Sequence, residues 1–497
     1  MRWSSFLFFV LAVFLSSQLG RHFWGSWSYV WGLKVDYLSW TLYWSDLLVL
    51  AMLAMWAREV YVRGRKRLVN KQPRVFEPWF SRKSSKSLFA ALLHPWTLSP
   101  QFLQSLNKAF PRLLLEGYLD VRVKQSLIPS NVGIWIKACP ALLSEKLFTP
   151  MFKHGKLRVN IKSSWLKWSL VLCLMVANVL MAVRFEVAAY NMFSWLVVFG
   201  LAVYIRRNSV ERWLGWGLCI SLGLNLTLAV MQIFLGRSVG GGWWWLGERT
   251  FSVEGPGIAR EWFWGRWWMR PYGTFSHPNA LGGFGLVSLA VLDGLEIDKR
   301  LKRWGKMFGL LISILSMSQV VWAGGAIYLA ARWWLRRNDG FLRRGILVFG
   351  FLILAVGGTL TMALVTREEL SWRRRQVLLS STIEVLEKRM WWGVGGGNLV
   401  AAIAPVLPKN ESLFFLQPVH NGFVLMLAEW GVVGFLAGGI IAVFFLKSAI
   451  KYGRRDFLLA FLMMGWLLTW DHYVLTLQQN QLMLGVVVGF LAKKKNE

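Results

Sequence analysis

The sequence predicts an all-α, polytopic integral membrane protein with about twelve transmembrane helices. Three observations carry that reading. Hydrophobic residues make up 55% of the 497 positions, with 32 Trp among them, and the mean hydropathy is +0.43, far from the profile of a soluble chain. Apolar runs recur at the length that crosses about 30 Å of hydrocarbon, roughly 20 residues at 1.5 Å each. The net charge of +32 is divided unevenly between the loops on the two sides of those runs.

In chain order, residues 3–19 and 37–57 are the first two spans. The first resembles a signal peptide in following Met1 and Arg2, but it lacks a small-x-small cleavage site and ends in Gln18, Leu19, Gly20 and Arg21, so it reads as a retained helix. Residues 58–164 interrupt the alternation. They are strongly basic and hold eight of the 14 prolines, and their apolar patches 88–93 and 110–115 are too short to cross. The segment reads either as short helices on an anionic inner leaflet or as a basic loop. Spans resume at 165–183, 190–205, 213–234, 279–292, 307–315, 320–335, 345–365, 423–446, 457–470 and 475–491. The chain therefore divides into 1–57, 58–164 and a ten-helix core 165–497 with two long external loops, 236–272 and 366–422.

With both termini inside, the external loops carry 15 of the 57 Lys and Arg and 11 of the 25 Asp and Glu. The cationic excess falls in 58–164, 206–212, 293–306, 336–344, 447–456 and Lys493, Lys494 and Lys495, which the positive-inside bias makes cytoplasmic. Charge so placed serves topology and removes nucleic acid as a partner. Cys139, Cys173 and Cys219 give no disulfide framework. There is no paired-carboxylate clamp, no Cys-His ligand spacing, no G-x-S-x-G elbow and no glycine loop followed by Lys, so neither metal nor cofactor is expected.

Two blocks share one grammar, a polar turn passing into an apolar helix: RPYGTFSHPNALGGFG at 270–285 and PVHNGFVLMLAEWG at 418–431. Both stand on the external side. A helix mouth offers amides and a positive dipole end to an anion, and Arg270 and Arg373, Arg374 and Arg375 supply the planar forks that grip a diphosphate. The arginine run could instead pair with Glu368 and Glu369. His420, beside Asn421, either accepts a hydroxyl proton or belongs to a helix-capping pair. His277 reads as structural in its turn, with Ser276 or His277 as cap, and Asp471 is placed to orient His472. Glu429 and Asp46, inside apolar helices, need partners or a polar cavity. Loop 236–272 holds seven Trp from Trp243 to Trp268, either an interfacial belt or a stacking surface for sugar rings or a lipid tail. Loop 366–422 reads as a lid with a helix over 376–389, bent at the glycine run 393–398.

Six blocks in order, YLSWTLYWSDLLVL from Tyr37, LGERTF from Leu246, RPYGTFSHPNALGGF from Arg270, WGVGGGN from Trp392, HNGFVLMLAEWGVVG from His420 and DHYVLTLQQ from Asp471, resemble the O-antigen ligase and O-antigen polymerase superfamily. The resemblance covers most of the chain. It implies a metal-independent transfer of a glycan from an undecaprenyl-diphosphate carrier to a hydroxyl-bearing acceptor, a lipid, glycan or protein, at the outer face of a bacterial inner membrane. It also implies that His420 activates or positions the acceptor and that Arg375 grips the diphosphate. Where the family commonly has a Ser-Arg pair beginning the eighth helix, this chain reads SMSQ, with Gln319 in the arginine's place. Segment 58–164 is longer than is usual in the family.

The expected catalytic residues are therefore His420, Arg375 and Arg270. Arg249, Arg373, Arg374, Gln319, Asn279 and Asn421 are the expected substrate-binding residues. The alternatives are a polymerase of the same superfamily, a transporter or flippase of lipid-linked glycan, and an inactive scaffold of polysaccharide assembly.

Overall fold

A computed structural model of the protein describes residues 2–70, 163–255, 257–337, 340–364, 370–408 and 416–493. The patches 88–93 and 110–115, Cys139, Glu368, Glu369, Lys494 and Lys495 lie outside the described residues. The chain divides into two compact units, Met1–Tyr61 with Ser164–Glu497, and Val62–Ser163. Of the second, the described residues are 62–70 and Ser163, all helical.

The described residues are mostly helical. Helix α1 (Trp3–Val13) leads to strands β1 (Gly20–Phe23), β2 (Tyr29–Val30), β3 (Leu33–Lys34) and β4 (Trp40–Tyr43), then to helix α2 (Trp44–Asn70). There follow α3 (Ser163–Leu180), α4 (Phe185–Arg207) and α5 (Glu211–Leu235), and the hairpin β5 (Arg260–Phe263) and β6 (Arg266–Met269). The remaining helices are α6 (Pro278–Gly294), α7 (Lys299–Leu315), α8 (Gln319–Arg337), α9 (Phe341–Leu364), α10 (Leu370–Lys388), α11 (Leu399–Ile403), α12 (Gly422–Lys451), α13 (Arg455–Trp470), α14 (Tyr473–Thr476) and α15 (Gln478–Leu491). The strands form three antiparallel pairs, β1 with β4, β2 with β3, and β5 with β6.

Among the described residues, four helices are long and apolar enough to cross a membrane: α4, α5, Leu342–Thr361 of α9, and α12. The helices around which they pack are shorter. Helices α6, α7, α13 and α15 have 17, 17, 16 and 14 residues, a rise of about 21–26 Å. Helix α6 is enclosed, with 14 of its 17 residues buried, and its glycines set the packing distance. A Cβ on Gly285 would lie 2.8 Å from Gly309 O of α7, and one on Gly283 would lie 2.3 Å from the Tyr473 hydroxyl. Small residues thus let backbones approach closely.

Two predicted spans, 37–57 and 307–315, have other bounds in the structure. Residues 37–43 are not α-helical: Asp36–Leu38 make a single 3-10 turn, and Trp40–Tyr43 pair with β1, from Gly20↔Tyr43 to Phe23↔Trp40, as aromatic and β-branched residues favour. Helix α2 then runs past 57 to Asn70, through Arg, Lys and Leu that propagate a helix well. Helix α7 starts at Lys299 rather than near 307, because Asp298 Oδ1 caps it by accepting from Arg300 N at 2.9 Å and Leu301 N at 3.1 Å.

Helix α12 is interrupted at Gly431, whose φ of 65° and ψ of −177° are not helical. The glycine run fills this break. Val394 N donates to Ala428 O at 3.0 Å, Gly395 N donates to Glu429 O at 3.0 Å, and Val432 N donates to Met390 O at 2.8 Å. Gly393, Gly395 and Gly397 all have positive φ, which glycine adopts without steric cost. The run expected to bend a lid instead supplies the backbone partners that a broken helix needs.

Candidate functional site

The sequence places three polar ends together. Helix α6 begins with Pro278 after His277, whose Nδ1 accepts from Asn279 N at 3.1 Å. Helix α12 begins after Asn421, whose Oδ1 accepts from Phe423 N and Val424 N, both at 3.0 Å. Helix α13 ends at Trp470, and Asp471 and His472 turn the chain into α14. These caps correct one expectation: the first amides of both mouths are already used, so the dipole remains for an anion but those N–H groups do not.

From Arg270 a chain of contacts crosses the site. Arg270 Nη2 donates to Asn279 Oδ1 at 2.7 Å, and Asn279 Nδ2 donates to Asp471 Oδ2 at 3.4 Å. Asp471 Oδ1 accepts from His472 N at 2.8 Å and lies 3.8 Å from His472 Nε2. The His472 ring meets His420 edge to face, with centroids 5.4 Å apart, and meets Tyr37 likewise at 5.7 Å. His420 Nδ1 lies 3.3 Å from Pro418 O. A carbonyl only accepts, so Nδ1 carries the proton and Nε2 keeps the lone pair.

Burial pushes the His420 imidazole below its ordinary value, opposed by Asp471 and reinforced by the cation of Arg375. Burial likewise pulls His472 down to about 4. Burial alone would raise the Asp471 carboxyl, but His472, His420, His277 and Arg375 outweigh it and hold the group down at about 2. Near neutral pH the cluster is therefore an ionised carboxylate among neutral imidazoles, the arrangement in which a base can take a proton and have its new charge stabilised.

The expected site residues separate into groups. Arg270, Asn279 and His420 converge on Asp471 and His472 through the contacts above, and the charge of Arg375 on α10 acts on Asp471 and His420. Arg373 is exposed and Arg374 half-buried on the same helix. Gln319 is exposed at the start of α8, three residues after Ser316, whose carbonyl accepts from Arg270 Nε at 3.0 Å. Asn421 spends its amide on the α12 cap and on Thr469 O at 2.9 Å and Thr359 Oγ1 at 3.1 Å. Arg249 lines a cavity of about 460 Å³ on the other side of Tyr37, together with His22 and Asp36.

Sequence reasoning passed over Asp471 as the centre, and over Tyr37, His22 and Asp36. The signal available was DHYVLTLQQ, where an acid and an imidazole are adjacent. Glu429 lines the cavity and accepts weakly from Leu399 N at 3.4 Å. Asp46 accepts from Gln478 Nε2 and from Tyr43 N at 3.2 Å. Among the described residues no group of three His, Cys, Asp or Glu is placed to hold a metal ion. No model of a known protein family matches the chain, and no curated protein matches it.

Proposed function

We propose that the chain is a glycosyltransferase of the O-antigen ligase type, moving a glycan from an undecaprenyl-diphosphate carrier to an acceptor hydroxyl at the outer face of a bacterial inner membrane. On this reading about twelve helices cross the bilayer and both termini are cytoplasmic. The observation that carries it is the meeting of a neutral His420, an ionised Asp471 and the guanidinium of Arg270 at the mouths of two apolar helices.

The chemistry follows from those groups. The acceptor oxygen attacks the anomeric carbon as the bond from that carbon to the diphosphate oxygen breaks. His420 Nε2 takes the acceptor proton, and Asp471 stabilises the imidazolium that forms. Undecaprenyl diphosphate leaves with the bonding electrons, and Arg375 and Arg270 meet its charge. Arg270 reaches the turn before Gln319 through Ser316, so it stands in the region where the resembling family has a second arginine. A polymerase would repeat the same step on a growing chain, and product length separates the two.

The test is incubation of purified protein with an undecaprenyl-diphosphate glycan and a panel of acceptors. Wild type should transfer glycan, and His420→Ala should abolish transfer while donor binding persists. Unchanged turnover in His420→Ala removes the base. Movement of labelled donor across proteoliposomes without transfer replaces the enzyme with a transporter.

A further inference from the structure

The hairpin of β5 and β6 turns at Trp264 and Gly265, whose φ values are 49° and 73°. Two left-handed residues give the turn whose twist suits paired strands, and Asn, Asp or Gly ordinarily fills its first place. Here tryptophan fills it, against the steric preference of a bulky side chain. The result is an indole 86% exposed at the tip, with Trp262 and Trp267, which pair across the strands, exposed behind it. Indoles displayed together in this way mark a contact surface.

Position and charge say what covers it. Strand β6 packs against α5, one of the helices long and apolar enough to cross a membrane. Helix α5 ends in Phe234 and Leu235, 79% and 50% exposed, so hydrocarbon suits this end of it. The hairpin therefore stands where tryptophan, an apolar body with one N–H, is enriched at membrane interfaces. It also carries cations. Arg260 lies over the Trp267 ring at 5.7 Å and Arg266 over the Trp268 ring at 3.6 Å, while Trp262 and Trp267 meet edge to face with centroids 5.2 Å apart. A sugar ring needs an open indole face, and guanidinium groups already cover one face of Trp267 and one of Trp268. Lipid phosphates instead need cations beside the indoles, and the hairpin presents two.

The root of the hairpin is the site described above. Arg270 N donates to Ala259 O at 3.0 Å, and Ala259 N donates to the Tyr272 hydroxyl at 2.9 Å. The depth of the hairpin is thus passed on to Arg270.

We propose that the hairpin docks on the bilayer, with Trp262, Trp264 and Trp267 among the headgroups of the leaflet at which α5 ends and Arg260 and Arg266 on its phospholipid phosphates. That leaflet then sets the height at which Arg270 stands. The docking rests on α5 as a span and not on the transfer reaction proposed above.

The test uses the full chain in nanodiscs of phosphatidylethanolamine and phosphatidylglycerol, with Cys139, Cys173 and Cys219 replaced by serine and a nitrobenzoxadiazole label attached in Trp264→Cys or Phe234→Cys. Phospholipids carrying a nitroxide near the headgroup should quench both labels. Arg260→Ser with Arg266→Ser should lower that quenching at 264 and raise quenching there by aqueous iodide. A label at 264 quenched by iodide and not by the nitroxide lipid, beside one at 234 quenched by the lipid, overturns the docking alone. Quenching of both by iodide and of neither by the lipid overturns the span as well. Unchanged quenching in the double arginine variant overturns the phosphate contact. The unsubstituted protein gives a second reading. Trp264 is the most exposed tryptophan among the described residues, so in water hydroxyl radicals should oxidise it fastest, and docked in a nanodisc it should lose that lead. Fastest oxidation of Trp264 in nanodiscs overturns the docking.

Discussion

Asn279 joins Asp471 to Arg270: it accepts from the guanidinium at 2.7 Å and donates to the carboxylate at 3.4 Å. One amide thus serves a cation and an anion at once, and the carboxylate keeps its other oxygen for the His472 backbone at 2.8 Å. Asn279→Ala leaves both charges short of a partner in a half-buried site. Hydrogen bonds to charged groups are worth about 1.5–3 kcal/mol, so the expected loss is about 2 kcal/mol or more in denaturant unfolding. A loss below about 0.5 kcal/mol would show that water replaces the amide.

The pH response follows from His472 and Asp471. His472 titrates near 6.5 when unfolded and at about 4 when folded, so as pH falls from 6.5 towards 4 the unfolded chain takes up a proton that the folded one refuses. Stability should fall across that window by up to about 1.4 kcal/mol per pH unit. Asp471 behaves differently: its folded value of about 2 lies below 3.8, so its contribution is present above 3.8 and lost as pH falls towards 2. Thermal melts between pH 7 and 4 read the first window. His277, held at about 4, and His420, held below its ordinary value, contribute with the same sign, so His472→Gln should make the slope shallower without abolishing it.

The transfer rate should follow His420 with the same sign. Its folded value lies below 6.5, so the neutral base persists under mildly acidic conditions and the acidic limb of kcat/KM should lie below pH 6.5. A limb at or above 6.5 would point to another base.

Much of this site was legible because helix caps are local. His277 before Pro278 and Asn421 before Gly422 announce two helix starts within a few residues of sequence, and both caps form. The centre was not legible in that way. Asp471 reaches Asn279 across 192 positions, and no periodicity reports such a separation. The cavity is less legible still, since it draws Gln18, Asp36, Asn191 and Arg249 from four distant segments. Helix lengths mislead for a related reason: buried helices such as α6 and α15 need not reach spanning length by themselves, because their neighbours cover them.

The break in α12 separates two kinds of glycine. At Gly431 a Cβ would stand 2.3 Å from Trp391 O on a residue with φ of 65°, whereas at Gly439 of the same helix nothing lies within 4 Å. Gly431→Ala should therefore cost several kcal/mol, combining backbone strain with displacement of the glycine run. Gly439→Ala should be neutral or stabilise by up to about 1 kcal/mol. Equal melting temperatures for the two variants would contradict the clasp between α12 and residues 393–397.

Arg270 and Gln319 offer the sharpest test of the proposed transfer. Arg270 Nε holds Ser316 O at 3.0 Å, and the turn that follows carries Met317 at a φ of 51° before Gln319 opens α8. If Arg270 meets leaving-group charge, Arg270→Ala should lower kcat/KM about 100-fold, the scale of losing one preorganised charge-stabilising donor. A second cation at 319 should then recover part of that loss, so Gln319→Arg in the Arg270→Ala background should raise kcat/KM about tenfold. The same arginine would stand at the positive end of α8, which costs about 0.3–1 kcal/mol, so the recovery should come with a slightly lower melting temperature. Faster turnover in a less stable protein is not what improved folding produces. No recovery in the double variant, alongside a 100-fold loss in Arg270→Ala, would confine Arg270 to bracing Asn279.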